Sequence, residues 1–192
     1  PRPTRDGAAE TVRYWNRYVT ARGTWRLHSA GRPTEPPGED LATLRSGLEH
    51  TAGEVFALWP FYTTPCDGRV PRLLEAEHAA LALYGLHQQG RRDPMHRPGI
   101  GPGTALANLR RSERFGADAL DRRVDATANA TSVASLRHRL RGLVTQLRTG
   151  GQPMDYDMLL DDLHSWHRPD GRRRVRRRWG LEYYARKPES RD

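Results

Sequence analysis

One cysteine, Cys66, and one lysine, Lys187, occur in 192 residues. A lone thiol excludes an internal disulfide framework and suits a reducing compartment. With lysine almost absent, 31 of the 32 basic side chains are arginine. Guanidinium groups stay ionised and bind phosphate through paired hydrogen bonds. Long apolar runs are missing too. No stretch of ~20 apolar residues and no apolar leader core appears, so neither a membrane span nor a signal peptide is expected, and a cytoplasmic location follows. Sustained period-two alternation is also absent, which argues against a sheet; helical periods recur instead.

The formal charge is +9, and its distribution says more than its size. Residues 1–96 carry 12 basic against 11 acidic side chains, a net of +1; residues 97–192 carry 20 against 12, a net of +8. So uneven a balance points to a polyanionic partner. The excess is densest at Arg172, Arg173, Arg174, Arg176, Arg177 and Arg178. Val175, Trp179 and Tyr183 recur there at every fourth position, so the segment reads as an amphipathic helix with one apolar stripe. With that stripe inward, Arg173 and Arg177 point furthest out, Arg174, Arg176 and Arg178 lie on the flanks, and Arg172 sits beside the stripe. Arg178 is expected to pair with Asp161 or Asp162.

Thr4 is placed to cap a first helix carrying Ala8, Val12, Trp15 and Val19. Gly23 and Gly31 bracket a short segment around Trp25 and Leu27, and residues 31–38 form a loop. Short helices follow around Leu41–Leu44 and Val55–Trp59, the second stopped by Pro60. Pro71 fits the first turn of a helix reaching Gln88, apolar nearly all round and therefore central. Residues 90–103 read as a linker. His87, Gln88, Gln89 and His96 are suited to tie it down by hydrogen bonds. Beyond it, helices start near Thr104, Ala117 and Ser132. The last carries Leu136, Leu140, Leu143 and Leu147 and ends at Gly150–Gly151. Asp155 caps a helix with Leu159, Leu163 and Trp166 inward, and Asp170 caps the arginine helix. The expected fold is all-α: two small helical bundles joined by a loop, an N-terminal helical domain at 1–100 and a basic antiparallel bundle at 101–192.

Three stretches carry a family resemblance. They are Leu81-Ala82-Leu83-Tyr84-Gly85-Leu86-His87-Gln88-Gln89 with Met95-His96; Gly103-Thr104-Ala105-Leu106-Ala107-Asn108-Leu109-Arg110-Arg111; and Asp157-Met158-Leu159-Leu160-Asp161-Asp162-Leu163-His164-Ser165-Trp166, followed by Arg176-Arg177-Arg178-Trp179-Gly180-Leu181-Glu182-Tyr183-Tyr184. In order and spacing they resemble the CasB family, the small subunit of the type I-E CRISPR surveillance complex Cascade. The resemblance implies a non-catalytic helical subunit of antiviral defence that needs no cofactor. It also implies partners: guide RNA, the displaced strand of target DNA, other Cascade subunits and a second copy of itself. Its implied role is to stabilise the R-loop through a basic face.

The residues expected to meet nucleic acid are Arg110, Arg111, Arg137, Arg141, Arg148, Arg173, Arg174, Arg176 and Arg177. Arg137, Arg141 and Arg148 share one flank of the leucine stripe, with Arg139 on the other side. Other chemistry is weaker. His164 and His167 have a spacing that suits metal, but the arginines beside them repel cations. Asp155, Asp157, Asp161 and Asp162 offer a nuclease magnesium ligands, yet they also suit helix N-termini and arginine pairing. Gly99-Ile100-Gly101-Pro102-Gly103-Thr104 resembles a phosphate cradle without its lysine. A free-standing helix-turn-helix regulator needs a base-reading helix, and no such spacing precedes the arginines.

Overall fold

The computed structural model describes residues 12–185. Seven α-helices build it: α1 Gly38–Ser46, α2 Arg72–Gln88, α3 Pro102–Arg111, α4 Ala117–Ala128, α5 Val133–Gly150, α6 Tyr156–Trp166 and α7 Pro169–Tyr183. Short 3₁₀ turns complete the order, and the described residues contain isolated β-bridges but no strand.

The N-terminal segment departs from the helix expected there. Thr4 and Ala8 lie outside the described residues. Beyond them only a 3₁₀ turn forms, at Tyr14–Arg17. Tyr14 and Trp15 are adjacent and both buried, a pairing that a tight turn can direct toward the core. The following backbone pairs sideways, with Arg26 N–H donating to Tyr18 C=O and Thr20 N–H to Thr24 C=O. Gly23 and Gly31 take φ of 75° and 73° at the reversals, which other residues adopt poorly.

The 3₁₀ turn Phe56–Phe61 contains Pro60 instead of ending before it. So short a turn has few internal bonds for proline to break. Pro71 stands just ahead of α2, at its N-cap.

Helix α2 is the centre of the molecule. Of its 17 residues, 14 are buried, and it packs against α1, α5 and α6. One continuous apolar core therefore joins residues from Tyr14 to Tyr183. At Gly85 the backbone of α1 comes so close that a Cβ would lie 2.8 Å from Arg45 N and Leu41 O. Gly85→Ala is therefore expected to cost about 2–3 kcal/mol, read by urea unfolding, because neither neighbour is a flexible side chain.

The loop after α2 is bonded to its surroundings. The Gln88 amide donates to the carbonyls of Arg91 and Asp93, both at 3.1 Å, and accepts from Met95 N–H at 2.8 Å. Trp25 Nε1 donates to Arg92 C=O at 2.7 Å. The His87 ring lies 3.0 Å from the Tyr156 hydroxyl, and His96 Nδ1 accepts from Tyr156 N–H at 3.1 Å.

Local signals set the later helices. Ser132 accepts from Ser135 N–H at the start of α5. Leu136, Leu140, Leu143 and Leu147 are buried along it, and Gly151 closes it in the left-handed region at φ 65°. Asp155 caps α6 by accepting from the N–H groups of Asp157 and Met158. Helix α7 corrects one expectation: Arg168, not Asp170, is its N-cap. Pro169 supplies the first helical residue, since its fixed φ suits that position and it has no N–H to leave unpaired. Asp170 therefore falls inside the first turn.

Candidate nucleic-acid interface

Helix α7 is held by its apolar stripe. Val175, Trp179 and Tyr183 are 3, 3 and 4% exposed. The Trp179 ring lies 5.8 Å from that of Trp166, and its Nε1 donates to Asp162 Oδ2 at 2.7 Å. Arg178 donates to the other Asp162 oxygen and lies 3.8 Å from Glu182. Asp162 is 1% exposed, and burial pushes its carboxyl up to about 6, against the pull of Trp179 and Arg178. Tyr183 reaches across to Asp121. Arg178 is thus a structural arginine, as expected, with Asp162 as its partner.

The other arginines of α7 divide by partner. Arg172 donates to Thr131 C=O at 2.7 Å and Arg176 to Ala130 C=O at 3.0 Å. Arg176 also lies over the Trp166 ring at 5.5 Å, a favourable cation–π arrangement. Arg173 pairs with Asp170. Arg174 and Arg177 are exposed, and neither makes a side-chain hydrogen bond or ion pair among the described residues. They stand on a rigid helix with their charge open to solvent.

The second row is partly engaged within the protein, although Arg110, Arg111 and Arg141 remain exposed. Arg137 donates to the carbonyls of Gly47 and His50 at 3.3 and 2.7 Å. Burial lowers its guanidinium from the usual value. Arg141 pairs with Glu49. Both fasten α5 onto the corner after α1. Arg110 grips both oxygens of Asp121, at 2.8 and 3.0 Å. That bond, with a second from Tyr183, holds Asp121 below the ordinary carboxylate range. Arg111 donates to Asn108. Arg148 is half-buried close enough to disfavour a charge on His87, whose ring burial has already lowered to about 3.

The alternative chemistries find most of their residues engaged; Asp161 and His164 are exposed. Asp155 accepts from two N–H groups of α6 and from Gly99 N–H at 2.7 Å. Asp157 accepts from Trp15 Nε1 at 3.0 Å and Asn16 Nδ2 at 2.8 Å. These two carboxylates and His96 lie close together, but Arg13 is also 3.6 Å from Asp157, and a neighbouring cation opposes a metal ion. His167 lies 3.5 Å from Glu75. At the glycine-rich start of α3, Glu182 accepts from Thr104 N–H at 3.2 Å, where a phosphate would otherwise sit.

Two further arginines, Arg123 on α4 and Arg139 on the other side of α5, are exposed and make no side-chain hydrogen bond or ion pair among the described residues. Neither has an acid three or four residues away in the sequence.

The fold and this surface define an all-α protein whose C-terminal helix presents uncompensated guanidinium groups. Residues 40–184 match the family model described as CRISPR-associated protein Cse2, and the chain belongs to that family. It is similar to the crystal structure of CasB from Thermobifida fusca, at 34% identity, with a TM-score of 0.62 over 77% of this chain and 85% of that one. A chain of a structure titled CRISPR RNA-guided surveillance complex shares the fold, at 24% identity and a TM-score of 0.60, over 78% of this chain and 82% of that one. No curated protein matches significantly. No helix among the described residues is long and apolar enough to cross a membrane.

Proposed function

We propose that this chain is a non-catalytic subunit of a CRISPR Cascade complex that stabilises the R-loop by holding nucleic acid against α7. The observation that carries the reading is the pair Arg174 and Arg177, exposed and without carboxylate partners on a helix pinned through Val175, Trp179 and Tyr183. Membership of a CRISPR-associated family supports the setting. The partners in that setting are guide RNA, the displaced target strand, sibling subunits and a second copy of the chain, all in the cytoplasm. Exchanging a DNA duplex for an RNA–DNA hybrid is nearly balanced in free energy. A few charge-assisted contacts to the displaced strand therefore suffice to favour the opened state. The engagement of Asp155, Asp157 and Asp162 in caps and hydrogen bonds supports a role without catalysis.

The R174E/R177E variant tests this. R-loop formation by the assembled complex should fall at least about tenfold at low salt, since hydrogen bonds to charged groups contribute about 1.5–3 kcal/mol each. The melting temperature should stay near that of the parent, because both side chains are solvent-facing. Unchanged R-loop formation would remove α7 from the interface.

A further inference from the structure

A second basic feature lies apart from the residues just discussed. Helices α4 and α5 enclose an open groove of about 580 Å³, lined by Arg123, Thr127, Ser135, His138, Arg139 and Gly142 among others. Arg123, His138 and Arg139 are exposed. Neither arginine makes a side-chain hydrogen bond or ion pair among the described residues. No carboxylate lines the groove. Two other cavities do include a carboxylate, Glu75 in one and Glu54 in the other. Gly142 adds no side chain to the lining, and a Cβ there would meet no atom within 4 Å.

We propose that the α4–α5 groove binds the sugar–phosphate backbone of a nucleic-acid strand. Its chemistry selects that class. Two guanidinium groups and an imidazole suit anions, and Ser135 adds a hydroxyl at the wall. The lining contains no Trp, Tyr or Phe, so there is no platform for stacked bases. Contacts to phosphates alone are indifferent to sequence, which a subunit that does not read the target requires.

The groove is also joined to α7. The segment 129–132 links α4 to α5, and the carbonyls of Ala130 and Thr131 in it accept from Arg176 and Arg172. The loop that links the two groove helices is thus fastened to α7 by two of its arginines. The proposal rests on the nucleic-acid reading given above and extends it to a second contact made by different residues.

Binding of the full chain to a labelled oligothymidylate, followed by fluorescence anisotropy across a salt series, tests the groove. R123Q/R139Q should weaken binding roughly tenfold at low salt and reduce the log–log salt slope by about 1.4, two phosphates at ~0.7 each. R174Q/R177Q, measured in parallel, reports on α7. If R123Q/R139Q binds like the parent, the groove proposal fails, and loss in the other variant alone leaves the α7 reading standing. Absence of binding by the parent at low salt also overturns the groove, while the R-loop assay still decides the role of α7. Should the groove variant lose polyglutamate binding and keep oligothymidylate, the groove belongs to an acidic protein segment instead.

Discussion

Asp162→Ala is expected to lower stability by about 3 kcal/mol, and Asp162→Asn by no more than about 1 kcal/mol, in urea unfolding. Asp162 sits at the joint between α6 and α7, and its two oxygens accept from Trp179 Nε1 and Arg178. Alanine leaves the buried indole N–H without an acceptor, which costs about 1–3 kcal/mol, and removes packed atoms besides. Arg178 adds less, because it is partly exposed and keeps Glu182 nearby. Asparagine retains a carbonyl oxygen for Trp179 while removing a buried charge. A large loss in the Asn variant would mean that the ion pair, not the indole bond, anchors α7.

The same group predicts a pH effect of definite sign. Its folded value of about 6 lies above the ordinary aspartate value of about 3.9 that the unfolded chain takes. Between these values the folded state binds more protons than the unfolded state. The contribution of Asp162 is therefore most favourable below about pH 4 and is lost as pH rises through 6. The full difference is at most about 3 kcal/mol. Asp162→Asn lacks the titration, so the stability gap between the two proteins should move in favour of the variant from pH 4 to pH 7.

What could be read from the sequence were features completed within a few residues. The stripes of α5, α6 and α7, the caps at Ser132 and Asp155 and the stop at Gly151 are of this kind, because propensity, capping and periodicity act locally. The choice between Asp161 and Asp162 for Arg178 was settled only by packing, which buries Asp162 and leaves Asp161 exposed. The internal partners of Arg137 and Arg141 were out of reach. Their partners at positions 47, 49 and 50 lie about ninety residues away along the chain, and only the tertiary fold brings that corner beside α5. Arg110 finds Asp121 by the same route, across the turn from α3 to α4. A helical projection ranks arginines by direction, not by whether an acid or carbonyl waits in that direction. Hence Arg177 remains open, as its outward position implied, whereas Arg173, just as outward, pairs with Asp170.

Gly171→Ala should be among the most damaging single-methyl additions in the chain, costing about 3 kcal/mol or more. Gly171 is buried in the first turn of α7. A Cβ there would run into the carbonyl group of Ser165, with Ser165 Cα only 3.2 Å away. Those atoms are backbone near the C-terminal end of α6, so no rotamer change relieves the clash. The hairpin between α6 and α7 would have to open, pulling Trp179 from Trp166 and from Asp162. Gly180→Ala is the matched control, since a Cβ there meets nothing within 4 Å and replaces a poor helix former by a good one. It should be neutral or slightly stabilising by thermal unfolding. The pair bears on function as well. In the Gly171 variant nucleic-acid binding should fall only as the folded fraction falls, and recover on cooling. A binding defect that persists in fully folded Gly171→Ala would show instead that the angle between α6 and α7 sets where Arg174 and Arg177 meet the strand.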